Sequence, residues 1–128
     1  MGKKAALTLQ QNQFNLATFN ERGLVKKYKQ DSLSKDNNTY KIDVCCLQEC
    51  KTKEKSDRTL ENGNRLILMG ADNISYGNGF LISNKWKNSV HQCWKVSERI
   101  SVIQLKTSKS KEKKSTRVDL PYILMLQN

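Results

Sequence analysis

The organisation of this chain follows from one short segment, which reads Ile42-Asp43-Val44-Cys45-Cys46-Leu47-Gln48-Glu49-Cys50-Lys51. Its first six residues are apolar or small apart from one acid, and such a run predicts a strand that is buried on both faces. Glu49 comes at the end of this strand, at the sheet edge where α/β proteins bind their ligands. A carboxylate suits a hard cation, so Glu49 is the first candidate site residue and a candidate ligand for Mg²⁺.

The charge of the chain indicates its class of partner. The 128 residues correspond to one domain at most, and 23 Lys and Arg against 12 Asp and Glu give a formal net charge of +11. So large a bias favours polyanionic partners, with nucleic acid first and an acidic membrane surface second. The alternative is that the charge serves only solubility. Because no secretory signal or run of transmembrane length is present, we expect an intracellular protein without a membrane span.

The cysteines allow two interpretations. Cys45 and Cys46 are neighbours on the predicted strand, so their side chains point to opposite faces and cannot easily form a disulfide. A zinc site assembled from Cys46, Cys50, His91 and Cys93 is one alternative, but the sequence contains no C-x-x-C pair. The favoured interpretation is that the cysteines are small buried hydrophobic residues in a reducing compartment.

The first half of the chain has a β-α-β pattern. Residues 1–13 are polar and are predicted to be disordered, and a strand is predicted from Phe14 to Asn20. An amphipathic helix from Leu24 to Lys35 and the strand from Ile42 to Gln48 follow. A crossover of this kind makes the two strands parallel, so their carboxyl ends lie at one edge of the sheet. We therefore expect Asn20 and Glu49 to lie close together.

The second half of the chain is predicted to be mostly strands. A polar loop covers residues 52–64, and a lysine-rich loop covers residues 107–117. Lys109, Lys113 and Lys114 of the second loop are candidate contacts to phosphate groups, although such a loop is equally typical of a solvated hairpin. The predicted strands are Arg65–Gly70, Tyr76–Ser83, Ser89–Val96, Glu98–Lys106 and Tyr122–Leu126.

Four segments in this order resemble the endonuclease/exonuclease/phosphatase family. They are Leu16–Leu24, Asp43–Lys51, Tyr76–Ile82 and Ser97–Ile100. More narrowly, they resemble the apurinic-type endonuclease domain of non-LTR retrotransposons of the LINE and RTE-like type. The resemblance implies an α+β fold with a mixed sheet, which is the N-terminal half of a four-layered, DNase I-like α/β sandwich. Residues 14–128 would then be a partial domain that lacks its C-terminal half.

The resemblance also implies a chemistry. Members of the family hydrolyse phosphodiesters with Mg²⁺ or Mn²⁺, so DNA is the expected substrate and the nucleus the expected location. Glu49 would bind the metal ion, and Asn20 would act beside it in catalysis by hydrogen-bonding a phosphate oxygen or a bound water. From their residue types, Arg99 and Tyr76 are candidate contacts to nucleic acid, together with Lys109, Lys113 and Lys114. The alternatives are a surface salt bridge for Arg99 and packing for Tyr76.

The sequence departs from the family pattern in its later motifs. The Tyr-Ala-Pro, Gly-Asp-Phe-Asn and Ser-Asp-His motifs do not occur. We therefore expect a truncated domain that is inactive alone and that needs the missing C-terminal half or a second chain. Two alternatives remain open, namely a non-enzymatic basic domain that binds nucleic acid and a lipid or inositol phosphodiesterase of the same fold.

Overall fold

The structure is a computed structural model that describes residues 7–9, 14–73, 75–106 and 123–126. It has one α-helix, nine strands and a 3-10 turn in this part of the chain. The helix is α1 (Lys27–Thr39), and the turn is Lys87–Ser89. The strands are β1 (Leu7–Leu9), β2 (Phe14–Asn20), β3 (Val44–Gln48), β4 (Ser56–Thr59), β5 (Arg65–Leu68), β6 (Gly79–Ile82), β7 (Val90–Ser97), β8 (Ile100–Leu105) and β9 (Ile123–Leu126).

The strands form two sheets. The larger sheet has six strands in the order β1-β2-β3-β6-β5-β4, and the smaller has three in the order β7-β8-β9. Strands β2 and β3 pair in parallel, as the β-α-β pattern predicts, and the other pairs of the larger sheet are antiparallel. The predicted α+β class and mixed sheet are therefore confirmed.

Two apolar cores cover the two faces of the larger sheet. One includes Phe14, Val44 and Cys46 with Ile103 and Leu105 of β8, so it lies between the two sheets. The other includes Ala17, Cys45 and Leu47 with Leu33 of α1, so it lies under the helix. Cys45 and Cys46 thus point to opposite faces, as predicted, and the central strand is buried on both sides. The order of layers is helix, sheet, sheet.

The predicted bounds of the helix are wrong at both ends. Leu24 N–H donates a 2.8 Å hydrogen bond to the carbonyl of Cys50, which keeps residue 24 in the strand connection and delays the helix to Lys27. At the other end, the helix continues through Asn37 because the side chain of this residue is fully buried and donates to the carbonyl of Ile42 at 3.2 Å. This hydrogen bond to Ile42, in the connection to β3, offsets the low helix propensity of asparagine.

The predicted loops also contain more structure than expected. β4 lies inside the segment 52–64 that was predicted to be a loop, and its charged edge position explains the weak sequence signal. β1 lies inside the segment 1–13 that was predicted to be disordered, and it pairs antiparallel with β2. The lysine-rich loop with Lys109, Lys113 and Lys114 lies outside the described residues.

Candidate functional site

Asn20 and Glu49 meet at the carboxyl ends of β2 and β3. The parallel register places Asn20 opposite Gln48, so Glu49 is the next residue beyond the paired strands. Asn20 Nδ2 donates a hydrogen bond of 3.1 Å to Glu49 Oε2, although 29 positions separate the two residues. The predicted convergence of the two side chains is therefore confirmed. Their catalytic and metal-binding roles stay predictions.

The backbone around Glu49 is held from both sides. Gly23 N–H donates to the carbonyl of Glu49 at 2.7 Å, on the side of β2. On the side of β6, Cys50 N–H donates to the carbonyl of Gly77 at 2.9 Å, and Lys51 N–H donates to the carbonyl of Tyr76 at 3.1 Å. We call residues 20–24, 49–51 and 76–77 together the rim. These hydrogen bonds make the rim a continuation of the sheet rather than a set of independent loops.

The rim concentrates backbone strain. In the part of the chain that the structure describes, four residues other than glycine have a positive φ, and three of them are in the rim. These three are Arg22 at 59°, Glu49 at 53° and Lys51 at 55°. Each costs roughly 1–2 kcal/mol, because Cβ crowds the backbone in this conformation. Strain of this kind clusters at functional sites, where the surrounding fold holds a side chain in a required place.

Tyr76 and Arg99, which were both predicted to contact nucleic acid, contact each other. Arg99 Nη2 donates to the Tyr76 hydroxyl at 2.7 Å, and the guanidinium carbon lies 5.0 Å from the centroid of the Tyr76 ring. Since Tyr76 is also bonded to Lys51 through its backbone, the pair is joined to the rim. The structure thus brings together four of the predicted site residues, which are Asn20, Glu49, Tyr76 and Arg99.

Two glycines around the start of β6, Gly77 and Gly79, have close backbone neighbours. A Cβ at Gly79 would lie 2.6 Å from the carbonyl oxygen of Ile67 on the neighbouring strand. Gly77 has a φ of 108°, and a Cβ there would lie 3.5 Å from the amide nitrogen of Lys51. A side chain at Gly79 would push β5 and β6 apart. Gly77 thus lets the start of β6 approach Lys51 of the rim, and Gly79 lets β6 approach β5.

One residue of the rim, Glu21, is a half-buried acid that was not singled out in the sequence. Burial raises the pKa of the Glu21 carboxyl, with Lys29 opposing this shift and Asp36 adding to it. Glu21 lines an open pocket of about 210 Å³ between the end of β2 and α1. The lining residues are Phe19, Glu21, Tyr28, Lys29, Ser32, Leu33 and Asp36. An acid after a strand-end asparagine is too common a pattern for the sequence to have marked it.

The donor set at the rim fits a hydrated hard cation better than a zinc ion. Mg²⁺ keeps several of its waters, so one carboxylate with a neutral amide beside it is a sufficient anchor. Within the described residues, no group of three or more His, Cys, Asp or Glu side chains is arranged to hold a metal ion. Burial raises the pKa values of the Cys46 and Cys50 thiols, which disfavours the thiolate form that zinc needs.

Comparisons with known proteins add no further assignment. No protein-family model matches the chain, and the curated proteins contain no match to it. Among the described residues, none of the helical structure is long and apolar enough to cross a bilayer.

Proposed function

We propose that this chain contributes the metal-binding edge of a divalent-metal-dependent phosphodiester hydrolase of the DNA endonuclease type, with a DNase I-like fold. The observation that carries the proposal is the hydrogen bond between Asn20 and Glu49 at the carboxyl ends of two parallel strands. Glu49 is the metal ligand in this proposal, and Mg²⁺ or Mn²⁺ is the metal ion. The metal ion, when bound, supplies positive charge that offsets the negative charge of the phosphodiester.

The residues of the rim have separate roles in this site. Asn20 holds the Glu49 carboxylate through its amide and adds no negative charge that would repel a phosphate. The strained backbone of Glu49 holds the carboxylate at the sheet edge. Arg99 and Tyr76 offer a cation and an aromatic ring on the side of β6, which suits a sugar-phosphate chain that crosses the rim.

The net charge supports DNA as the substrate. A formal charge of +11 on 128 residues attracts a polyanion through many weak contacts. A lipid or inositol phosphodiesterase would share the rim chemistry, and substrate choice separates it from a nuclease. The described rim residues include two carboxylates, Glu49 and Glu21, and no histidine. Glu21 lines the pocket beside α1 and is not the carboxylate bonded to Asn20, so we expect the base that removes the proton from water to come from other residues or from a second chain.

Manganese binding tests the role of Glu49 directly. Titration of Mn²⁺ followed by electron paramagnetic resonance is expected to show one site in the wild-type chain and a loss of affinity of at least tenfold in Glu49→Gln, because the neutral amide removes the charged ligand. Glu61→Gln, which changes an exposed glutamate in the turn between β4 and β5, is the matched control. Equal affinity in the Glu49→Gln variant and the wild type would overturn the proposal.

Plasmid nicking measures the chemistry separately. With Mg²⁺ and supercoiled plasmid, we expect the chain alone to stay at background, since the rim supplies no base for water. Nicking that disappears in Glu49→Gln would show instead that the chain holds a complete active site.

The second candidate function is a basic domain that binds nucleic acid without cleaving it. It is favoured by the net charge, together with the fact that Asn20 is hydrogen-bonded to one carboxylate, that of Glu49. This function predicts that DNA binding does not depend on divalent metal ions and that its affinity falls steeply with salt. Metal dependence of binding, measured with the Glu49→Gln variant alongside the wild type, distinguishes the two.

A further inference from the structure

We propose that Arg22 is a phosphate-binding residue of the rim and contacts the nucleic-acid backbone next to Glu49. The inference rests on the part of the proposed function that places a phosphodiester at this edge of the sheet. It adds a residue that the sequence did not single out.

The backbone fixes the place of Arg22. The preceding residue, Glu21, donates from its N–H to the carbonyl of Gln48 at 2.9 Å, and the following residue, Gly23, donates to the carbonyl of Glu49 at 2.7 Å. These two hydrogen bonds bracket Arg22, so its Cα lies across from the peptide that joins Gln48 to Glu49. A guanidinium on this Cα is therefore carried at the same edge as the candidate metal ligand.

The backbone conformation of Arg22 is strained. Its φ is 59°, in the left-handed region that glycine and asparagine occupy with less strain. The neighbouring Gly23, with a φ of 110°, already provides the flexibility that the turn needs. The backbone geometry of the turn therefore does not favour arginine at position 22. A role for the guanidinium would account for an arginine there.

The guanidinium of Arg22 is available for a ligand. Among the four arginines that the structure describes, three use their side chains within the chain. Arg58 donates to Gln30, Arg65 donates to Asp57 and to the carbonyl of Lys87, and Arg99 donates to Tyr76. The side chain of Arg22 is exposed and makes no hydrogen bond or ion pair with any residue in the described part of the chain.

An unpaired arginine suits a phosphate for a chemical reason. Its planar fork of N–H donors matches two phosphate oxygens at once, whereas a lysine ammonium offers only a point charge. The Glu49 carboxylate repels a phosphate when no metal ion is bound, and a cationic side chain on the neighbouring strand connection opposes this repulsion. Arg22 thus favours the approach of the nucleic-acid strand to the rim, where the Glu49 carboxylate would otherwise repel its phosphates.

The test is DNA binding in the absence of divalent metal ions. Fluorescence anisotropy with a labelled DNA duplex in EDTA is measured over a series of salt concentrations for the wild type, Arg22→Asn, Arg22→Lys and Lys85→Asn. Asparagine tolerates a positive φ, so Arg22→Asn is expected to melt at or above the wild-type temperature, which circular dichroism checks. Lys85 is exposed and lies two residues after Ser83, whose N–H donates to the carbonyl of Asp43 at the opposite end of β3. It therefore controls for loss of charge alone.

We expect Arg22→Asn to weaken binding by about tenfold and to reduce the slope of log affinity against log salt by about one, as loss of one phosphate contact requires. Arg22→Lys is expected to restore the slope but only part of the affinity, and Lys85→Asn to leave the slope unchanged. Unchanged binding in Arg22→Asn, or an equal loss in Lys85→Asn, would overturn the inference.

The outcomes also separate this inference from the proposed function. If the wild-type chain binds no DNA in EDTA while its Mn²⁺ binding depends on Glu49, only the inference about Arg22 fails. If Arg22→Asn behaves as expected while Glu49→Gln leaves Mn²⁺ binding unaltered, only the hydrolase proposal fails. Arg22 then belongs to a binding surface without metal chemistry.

Discussion

At the scale of single residues, the most informative feature is the set of charged side chains held in strained or desolvated positions around one sheet edge. Arg22, Glu49 and Lys51 share the left-handed backbone region, and Glu21 is a half-buried acid directly after Asn20. Each of these positions lowers stability by itself. These residues are concentrated in the rim, where Asn20 meets Glu49. Destabilising positions of this kind are typical of functional sites.

Glu21 provides a pH-dependent test at this scale. Because burial raises the pKa of its carboxyl, the folded protein holds the proton more tightly than the unfolded chain does. The ionised group therefore destabilises the fold above its folded pKa, and this penalty disappears as the pH falls below the ordinary value of about 4.3.

We expect Glu21→Gln to raise the melting temperature at pH 7 and to leave it close to the wild-type value near pH 4. Thermal melts at both pH values measure the difference, with Glu61→Gln as the exposed control. A lower melting temperature for Glu21→Gln at pH 7 would show that the attraction to Lys29 outweighs the desolvation of the carboxyl.

At the scale of elements, helix α1 depends on polar contacts rather than on an apolar stripe. Its buried residues are Gln30, Leu33, Ser34 and Asn37, and its first turn has no acid and its N-cap no side-chain hydrogen bond. Val25, just before the helix, and Tyr28, in its first turn, are apolar or aromatic residues of the predicted helix, yet they are 66% and 69% exposed. The helix is therefore held in place by partners on other elements.

Asn64, at the start of β5, is the main partner of α1. Its side chain is 1% exposed and donates to Ser34 Oγ at 2.9 Å and to Asn38 Oδ1 at 3.0 Å, and it accepts from the Asn84 N–H at 3.0 Å. Asn64→Ala leaves buried polar groups without partners, so we expect a loss of about 2–3 kcal/mol in the free energy of unfolding.

Urea denaturation followed by circular dichroism measures this loss. The control is Asn88→Ala in the exposed 3-10 turn, which is expected to change stability by less than about 0.5 kcal/mol. Equal effects of the two substitutions would mean that the contacts of Asn64 do not hold the helix.

At the scale of the whole molecule, strand β3 links the two apolar cores. Cys45 belongs to the core under α1 and Cys46 to the core between the sheets, and both thiols are buried. If the larger sheet unfolds as one cooperative unit, both thiols become accessible in the same event. The two cysteines are therefore natural probes of whether the layers unfold together.

Thiol labelling under mild denaturant tests this coupling. Cys45, Cys46 and Cys50 are expected to react at one common rate set by global opening. Cys93 is only partly buried, with its pKa raised to about 11 by burial, and is expected to react sooner but slowly. Mass spectrometry of the labelled peptides measures Cys93 and Cys50 separately. Cys45 and Cys46 are adjacent, so one peptide contains both, and a peptide that gains two labels in a single step shows that both thiols became accessible together. Labelling of Cys46 well before Cys45 would show that the smaller sheet separates first.

The sequence by itself determined the strand-helix-strand order, the parallel pairing of β2 with β3 and the meeting of Asn20 with Glu49. It did so because a fully apolar central strand and a short crossover leave few other arrangements. Only the tertiary structure decided the true bounds of α1, the edge strand β4, the Tyr76–Arg99 pair and the bracketed position of Arg22. These depend on hydrogen bonds between residues far apart in the chain, and no local pattern of hydrophobicity or propensity encodes such partners.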